Sequence, residues 1–437
     1  MSRRFSFVVI GLILLALSAF GARGLSFVST LKGFVAGDRF GVTIEPVGDV
    51  NGDGFVDFII GAPGSYQASN YSGKAYLYFG GTDPSKPALE LTGEKPGDRF
   101  GASVTALGDI SGNGFGDFAI GAPRNDDGGV DAGKVYIYYG GKELSGAPDM
   151  VLTGERSNDW FGTSLAGGKD LNGDNVPDLL VGASYGGANH AGVVYVFFGG
   201  SNFGTPALVL NGESAGDGFG EKIAIFGDVS GNGVSDFGVS AYYHNSSGLR
   251  NAGKVYLYQG GSIIDKKPWH QIEGKRPQAN FGFALTALGD VNGDGVPDIG
   301  IGAPGDGPNG EGVAYIYAGA PVIRDPFASI YGQNSKDLYG YSICAGDVNG
   351  DQFADILIGT PFADIGSYRS GRVEIFYGGE KLGPMNNLHI NGNFADAQCG
   401  TVVAFVPNFY GRRGGLFLVS SPGPLANGGT SFVHVYK

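Results

Sequence analysis

Three features of the sequence predict an all-β fold: a seven-bladed β-propeller of four-stranded antiparallel blades, with the N-terminal strand closing the seventh blade. The first is a repeat. Phe-Gly occurs at Phe40-Gly41, Phe100-Gly101, Phe161-Gly162, Phe219-Gly220 and Phe281-Gly282, and continues in altered form as Tyr339-Gly340 and Cys399-Gly400. The spacing is 58–62 residues, and each copy carries a Gly seven residues earlier, from Gly33 to Gly392. The second is period-2 alternation within each copy, the pattern of strands. Four strands in ~60 residues is the size of one propeller blade. The third feature is the chain ends. Seven third strands are written, the last at Ser431 to Tyr436, but only six fourth strands follow one. The missing strand stands at the front, Phe27 to Leu31, and leads to Gly33 in the same register.

Taken in order, the chain opens with Arg3 and Arg4, then an apolar run from Phe5 to Phe20 and the small residues of Gly-Ala-Arg-Gly. Residues 1–24 are read as a secretory signal peptide, leaving 25–437 as the propeller. No second apolar stretch follows, so the mature protein is expected not to span a membrane and to be secreted or held at the cell surface. In the second copy the first strand is read as Gly101 to Leu107, with a loop from Asp109 to Asp117. The second strand is Phe118 to Ile120, ending in Gly121-Ala122-Pro123; the third is Val135 to Tyr139 and the fourth Met150 to Leu152. Gly at 82 residues and Pro at 21 supply the turns this needs, while a 42% hydrophobic share is too rich for disorder. Cys344 and Cys399 are the two cysteines; export permits a disulfide between them, and buried free thiols are the alternative reading.

The loops between first and second strands carry the chemistry. Asp49, Asn51, Asp53 and Asp57 stand at positions 1, 3, 5 and 9 of a Gly-punctuated loop, with the Phe55 carbonyl at position 7. Ca²⁺ takes six to eight oxygens, and this set supplies them. The closing acid at position 9 and the absence of flanking helices separate the loop from an EF-hand. Three further loops are equally rich: Asp170/Asn172/Asp174/Asp178, Asp290/Asn292/Asp294/Asp298 and Asp347/Asn349/Asp351/Asp355. Two are poorer, Asp109/Ser111/Asn113/Asp117 and Asp228/Ser230/Asn232/Asp236, so four strong and two weaker Ca²⁺ sites are expected. In the seventh copy, around Asn408 to Arg413, the acids are gone and Arg412 and Arg413 stand where a cation's charge would be. Much of the net charge of −13 is thereby metal-ligand charge. No basic run points to nucleic acid.

Phe-Gly, Asp-x-Asn-Gly-Asp-Gly-x-x-Asp and Gly-Ala-Pro, recurring in phase over residues 25–437, resemble the FG-GAP repeat of the integrin α-subunit β-propeller and its bacterial relatives. The resemblance implies Ca²⁺ in the loops of the lower face. It also implies partner binding on the opposite face, through the loops after Gly-Ala-Pro and the turns before Phe-Gly. The residues before Phe-Gly then ring the channel mouth: Arg39, Arg99, Trp160, Gly218, Asn280, Leu338 and Gln398. In integrins that ring is aromatic and receives the β-subunit; here it is mixed.

Tyr185, His190, Tyr242, Tyr243 and His244 in the upper loops of blades three and four, with Arg124 of blade two, are read as exposed groups for an extracellular protein or glycan. Asn70 and Asn245 head N-glycosylation triplets in these loops. The five His fall in no triad or metal spacing, and no nucleophile elbow or phosphate loop occurs in its structural context. The expected function is non-catalytic recognition or adhesion by a monomeric or weakly associating protein. A structural subunit of a surface assembly is the first alternative, and a carbohydrate-active enzyme on a propeller scaffold the second.

Overall fold

The computed structural model describes residues 25–64, 71–349, 351–379, 382, 388–411, 415–423 and 430–437. Residues 1–24, read above as a signal peptide, Asn70 and the Arg412-Arg413 pair lie outside the described residues. Among the described residues, twenty-eight strands, β1–β28 in chain order, form seven four-stranded antiparallel sheets. The first blade is β2 (Thr43–Gly48), β3 (Asp57–Ala62), β4 (Lys74–Tyr78) and β5 (Leu89–Thr92), and five further blades repeat that order. In the second blade the strands are Ser103–Gly108, Asp117–Ala122, Lys134–Tyr138 and Met150–Thr153, within two residues of the sequence reading.

The seventh sheet has the order β1-β28-β27-β26, so β1 (Phe27–Lys32) completes the blade begun by β26 (Val403–Val406), β27 (Leu416–Ser421) and β28 (Phe432–Tyr436). Phe27 lies opposite Tyr436 and Leu31 opposite Val433, and Ser26 and Lys437 exchange backbone hydrogen bonds at 2.7 and 2.8 Å. Within β1 only Leu31 is buried; the clasp is a backbone ladder with one apolar anchor.

Every second strand is buried at all six positions, because a neighbouring blade covers each of its faces. Fourth strands alternate and form the outer edge. Seven apolar clusters fill the seven blade interfaces, and the Phe-Gly positions Phe40, Phe100, Phe161, Phe219, Phe281, Tyr339 and Cys399 contribute one residue to each. Cys344 and Cys399 are free thiols. Burial pushes the Cys399 thiol up to about 12 and that of Cys344 higher still.

The repeated motif is a latch between blades. The Gly of Phe-Gly donates its N–H to the second strand of its own blade, as Gly101 does to Gly121 at 3.0 Å. Its carbonyl lies against the Gly of Gly-Ala-Pro in the preceding blade. A Cβ on Gly61 would fall 2.1 Å from the Gly101 oxygen, and one on Gly302 would fall 2.0 Å from that of Gly340. Where blade four has Ser240 instead, its hydroxyl donates to the Gly282 oxygen at 2.6 Å. Gly302→Ala is expected to destabilise the fold by roughly 1–3 kcal/mol through this overlap, read as a lower denaturant midpoint at unchanged slope.

The first strand ends in a β-bulge at Pro46/Gly48, Ala106/Gly108, Gly167/Lys169, Ile225/Gly227 and Ala287/Gly289. The bulge bends the chain into the loop that follows. Gly48 takes up φ 81° there, directly before Asp49. In blade six, Gly346 pairs directly with Asp355 and the ladder has no bulge. This accounts for the one-residue shorter spacing from Tyr339 to Asp347.

Candidate metal centres and the recognition face

Five bulges, and the unbulged ladder of blade six, deliver six loops to one rim of the ring, the lower face. In the first, Asp49 Oδ1 accepts the N–H groups of Gly52 and Asp53 at 2.6 and 3.1 Å, and Oδ2 that of Gly54 at 2.8 Å. Asp170, Asp290 and Asp347 hold the backbone of their own loops in the same way. Asp57 is fully buried; its Oδ2 accepts Val50 N–H at 2.9 Å and its Oδ1 accepts Gly80 N–H at 2.7 Å. The closing carboxylate thus ties the loop to the turn that leaves the third strand. The same bond recurs from Gly140, Gly199, Gly260, Gly319 and Gly378 to Asp117, Asp178, Asp236, Asp298 and Asp355.

The position-3 amides are those of Asn51, Asn172, Asn292 and Asn349, whose oxygens the sequence reading offers as cation ligands. In the structure each amide is engaged at both ends by its own loop. Asn51, Asn172, Asn292 and Asn349 donate Nδ2 to Asp53, Asp174, Asp294 and Asp351 respectively, at 2.9–3.0 Å. Their Oδ1 atoms accept the backbone N–H of the same four Asp residues, at 2.9, 2.8, 2.8 and 2.9 Å. The reason is local: an Asn side chain closes a turn on the N–H two residues ahead, and a position-5 carboxylate lies beside the amide nitrogen. An amide oxygen has two lone pairs, so this turn uses half of the acceptor capacity that Asn51, Asn172, Asn292 and Asn349 bring to a cation.

The carboxylates of a loop share its nine residues but are turned onto backbone N–H groups. Among the described residues no three His, Cys, Asp or Glu close into a cage. The loop charges still act on one another. Burial pushes the Asp57 carboxyl up to about 7; hydrogen bonds from Gly80 and Val50 oppose this, and the charges of Asp53 and Asp49 add to it. The same causes push Asp178, Asp298 and Asp355 up to about 6. Asp117 and Asp236 are raised by burial, with a single neighbouring acid each, Asp109 and Asp228. Crowded, partly buried carboxylates with an amide oxygen and a backbone carbonyl on one loop are a donor set that fits a hard divalent cation. Asp49, Asn51, Asp53, Asp57 and the Phe55 carbonyl would hold it, and it would supply charge neutralisation and a cross-link within the hairpin.

Loops also brace one another around the rim. The Asp49 carbonyl accepts Gly116 N–H of the next loop at 2.7 Å, and Phe115 lies where a Cβ on Gly52 would sit. Asp170 and Ser235 repeat the backbone bond at 3.3 Å.

The opposite rim, the upper face, carries the seven residues before Phe-Gly. All seven adopt left-handed backbone, with φ between 51° and 67°, although only Gly218 does so freely. The turn is pinned by a buried acid: Asp38 accepts the N–H groups of Phe34, Val35 and Phe40 at 2.9–3.0 Å. Trp160 packs on Tyr185 with ring centroids 4.0 Å apart, and the Arg124 guanidinium lies 4.8 Å from the Trp160 ring. His190 is exposed, its Nδ1 2.8 Å from the Tyr185 carbonyl.

Tyr185 and Tyr243 are exposed, but Tyr242 is only 6% exposed and does not belong to the accessible set the sequence predicted. It is covered because it sits between Tyr243 and Phe283, with centroids at 4.3 and 5.1 Å. His244 is likewise largely covered, its Nδ1 2.7 Å from Asp217 Oδ2. Asn245 is exposed, and its Oδ1 accepts Asn251 N–H at 2.9 Å.

Sequence reasoning missed the continuation of this aromatic run: Phe283 meets Tyr341 at 4.6 Å, and Tyr341 meets Phe362 at 6.4 Å. Burial raises the Tyr341 hydroxyl pKa, and Arg39 from the far end of the chain opposes the shift. The signal was an aromatic directly after Phe-Gly or Tyr-Gly, one place beyond the dipeptide used to find the ring. Phe283 and Tyr341 border an open cleft of about 780 Å³, also lined by Arg276, Gln278, Asn280 and Lys336.

Glu45, on inner strand β2, is partly exposed yet enclosed by protein, as expected of a side chain lining a narrow channel. That burial pushes its carboxyl up to about 8. The folded state therefore binds a proton that the unfolded chain releases near pH 4.5, and stability falls as pH rises from there to about 8. Glu45→Gln is expected to raise the melting temperature at pH 8 and leave it unchanged below pH 4.5.

The FG-GAP repeat profile matches residues 40–78, 100–138, 161–197, 281–317 and 339–376. The fourth blade, where Ser240-Ala241-Tyr242 replaces Gly-Ala-Pro, lies outside those matches. Integrin alpha-PS2 of Drosophila melanogaster is 33% identical over 254 residues, covering 54% of this chain and 17% of the integrin. Integrin alpha-7 of Rattus norvegicus is 34% identical over 221 residues, 49% of this chain and 18% of that protein. The human phosphatidylinositol-glycan-specific phospholipase D is 34% identical over 177 residues, 37% of this chain and 21% of the enzyme. These matches span about a fifth of the relatives' length. Among solved structures, BBS1N in its complex with ARL6DN superposes with a TM-score of 0.54 over 94% of this chain and 96% of that one, at 14% identity. That likeness concerns the fold alone.

Proposed function

This chain is an FG-GAP repeat protein resembling the integrin α-subunit β-propeller, and from that premise we propose that it is a secreted, Ca²⁺-stabilised module of extracellular or cell-surface recognition and adhesion. The observation that carries the reading is the division of labour between the two rims. The lower rim holds the acid-rich loops, whose closing carboxylates are pushed up to about 6–7 by burial and by one another. The upper rim presents an aromatic run beside a cleft carrying Arg276 and Lys336. Aromatic side chains flanked by polar groups suit contact with a protein or glycan.

The reading is non-catalytic. The likeness to the phospholipase D covers 37% of this chain and 21% of the enzyme. Among the described residues no helix is long and apolar enough to cross a membrane.

The test is an array of glycans and matrix proteins probed in millimolar calcium and in EGTA. Calcium-dependent retention that is lost in Tyr341→Ala/Arg276→Ala at unchanged melting temperature supports the reading. Release of products from any polysaccharide or glycolipid by the purified protein overturns it. For the lower rim, Asp53→Ala is expected to lower the calcium bound per chain by one while leaving the circular dichroism spectrum unaltered.

A further inference from the structure

We propose that the loops of the second and fourth blades hold no cation, and that the side-chain amides of Asn113 and Asn232 tie them shut in its place. The proposal rests on the calcium reading of the other four loops. Asn113 Nδ2 donates to the Gly140 carbonyl at 2.8 Å, and Asn232 Nδ2 donates to the Gly260 carbonyl at 2.9 Å. Gly140 and Gly260 are the residues whose N–H groups the closing acids Asp117 and Asp236 already hold, at 2.8 and 3.0 Å. One turn residue is thus gripped at both its polar backbone groups by the loop beneath it.

The orientation of each amide is set at both ends. Asn113 Oδ1 accepts Phe115 N–H, and Asn232 Oδ1 accepts Val234 N–H, each at 2.9 Å. In the four strong loops position 5 is Asp53, Asp174, Asp294 or Asp351. An ionised carboxylate has no proton to give a carbonyl, so that staple is chemically closed to those loops. Their position-5 acids instead accept the amides of Asn51, Asn172, Asn292 and Asn349.

The exchange of Asn-x-Asp for Ser-x-Asn is therefore coordinated. It removes one of three negative charges, supplies a donor that reaches the turn, and places a hydroxyl beside the closing acid. Ser111 Oγ neighbours Asp117 and also lies 3.5 Å from Oδ1 of the opening acid Asp109, and Ser230 Oγ is buried facing Asp236, outside ideal hydrogen-bond geometry. With two carboxylates and neutral donors already in place, the loop needs no cation to hold its shape. Each stapled loop is also the one on which a strong loop leans, through Gly116 to Asp49 and Ser235 to Asp170. A cation-independent loop next to a cation-dependent one keeps half of that contact rigid when calcium is withdrawn.

The experiment counts calcium bound per chain by equilibrium dialysis and metal analysis. Asp109→Asn and Asp228→Asn are expected to leave the wild-type count unchanged, and the pair Ser111→Asn with Asn113→Asp to raise it by one. A count that falls in either Asp→Asn variant overturns the proposal while the calcium reading stands. Failure of the double variant to gain a cation overturns the role given to Asn113. A wild type that binds no calcium overturns the calcium reading itself, and the proposal with it.

Melting curves give a second readout independent of the count. Asn113→Ala is expected to lower the midpoint equally in calcium and in EGTA, whereas the effect of Asp53→Ala disappears in EGTA. An Asn113→Ala shift seen only in calcium overturns the staple.

Discussion

Withdrawing calcium with EGTA is expected to lower the melting temperature by roughly 6–13 °C relative to ~10 mM calcium, and magnesium is expected not to restore it. The magnitude follows from mass action on the four strong loops. With dissociation constants of about 10⁻⁴–10⁻³ M, the range of extracellular modules, each site contributes about 1.4–2.7 kcal/mol at that concentration. Four sites amount to roughly 6–11 kcal/mol, and for a chain of this length about 1 kcal/mol moves the midpoint by ~1 °C. The physical origin is the crowding of Asp49, Asp53 and Asp57, whose mutual repulsion adds to burial in raising the Asp57 carboxyl to about 7. A cation converts that repulsion into a cross-link. Magnesium prefers a tight octahedron and keeps its waters, so a loop offering one amide and one backbone carbonyl beside its acids suits it poorly. Coincident melting curves in calcium and EGTA would remove the cation from any structural role.

Cutting the ring open is expected to do more damage than any single loop. A chain beginning at Gly33 lacks β1, leaving the backbone edge of β28 unpaired from Phe432 to Tyr436 and the interface around Val433 and Val435 without Leu31. Unpaired edges recruit other strands, so size-exclusion chromatography is expected to show concentration-dependent oligomers or aggregates. The point variant Leu31→Ala isolates the apolar share of the clasp: Leu31 is 3% exposed, and its truncation is expected to cost about 2–4 kcal/mol. Phe27→Ala, at 46% exposure, is expected to change little. If the truncated chain stays monomeric and melts with the full-length protein, β1 is an ornament on a ring that the other strands close alone.

Much of this molecule can be read one residue at a time. The Phe of each of the five Phe-Gly pairs is apolar and stands nine residues before an acidic loop, and its burial at five of the blade interfaces follows from that recurring place in the repeat. The N-terminal strand betrays itself because the strand count fails to close without it. Even the lost bulge of blade six is written in the sequence, as a loop that begins eight residues after Tyr339 instead of nine. Its meaning is invisible there, since a missing residue looks the same whether it leaves a strand, a bulge or a loop.

The upper face is the part that resisted. Tyr242 and Tyr243 are adjacent aromatics in one polar loop, yet the first is buried against Phe283 and the second exposed. Phe283 and Tyr341 come from different blades and meet only because the ring brings consecutive first strands side by side. The charge of Arg39, at the head of the first blade, also acts on the Tyr341 hydroxyl of the sixth. Likewise the Asn113 amide finds Gly140, 27 residues away, through the closing of a hairpin. The amides of Asn172, Asn292 and Asn349 show the opposite case: their oxygens are named by the motif, but which N–H each one faces is a matter of loop conformation.

By itself the sequence determined what depends on local order: the repeat length, the strand alternation, the identity of the loop oxygens and the number of blades. Those are properties of neighbouring residues, set by side-chain period and by which groups can ionise. Only the tertiary structure decided which glycines have a neighbour's carbonyl pressed against them, which aromatics share a surface and which loops are stapled by their own amides. Such contacts arise between segments tens to hundreds of residues apart, and they exist only once the circle is closed.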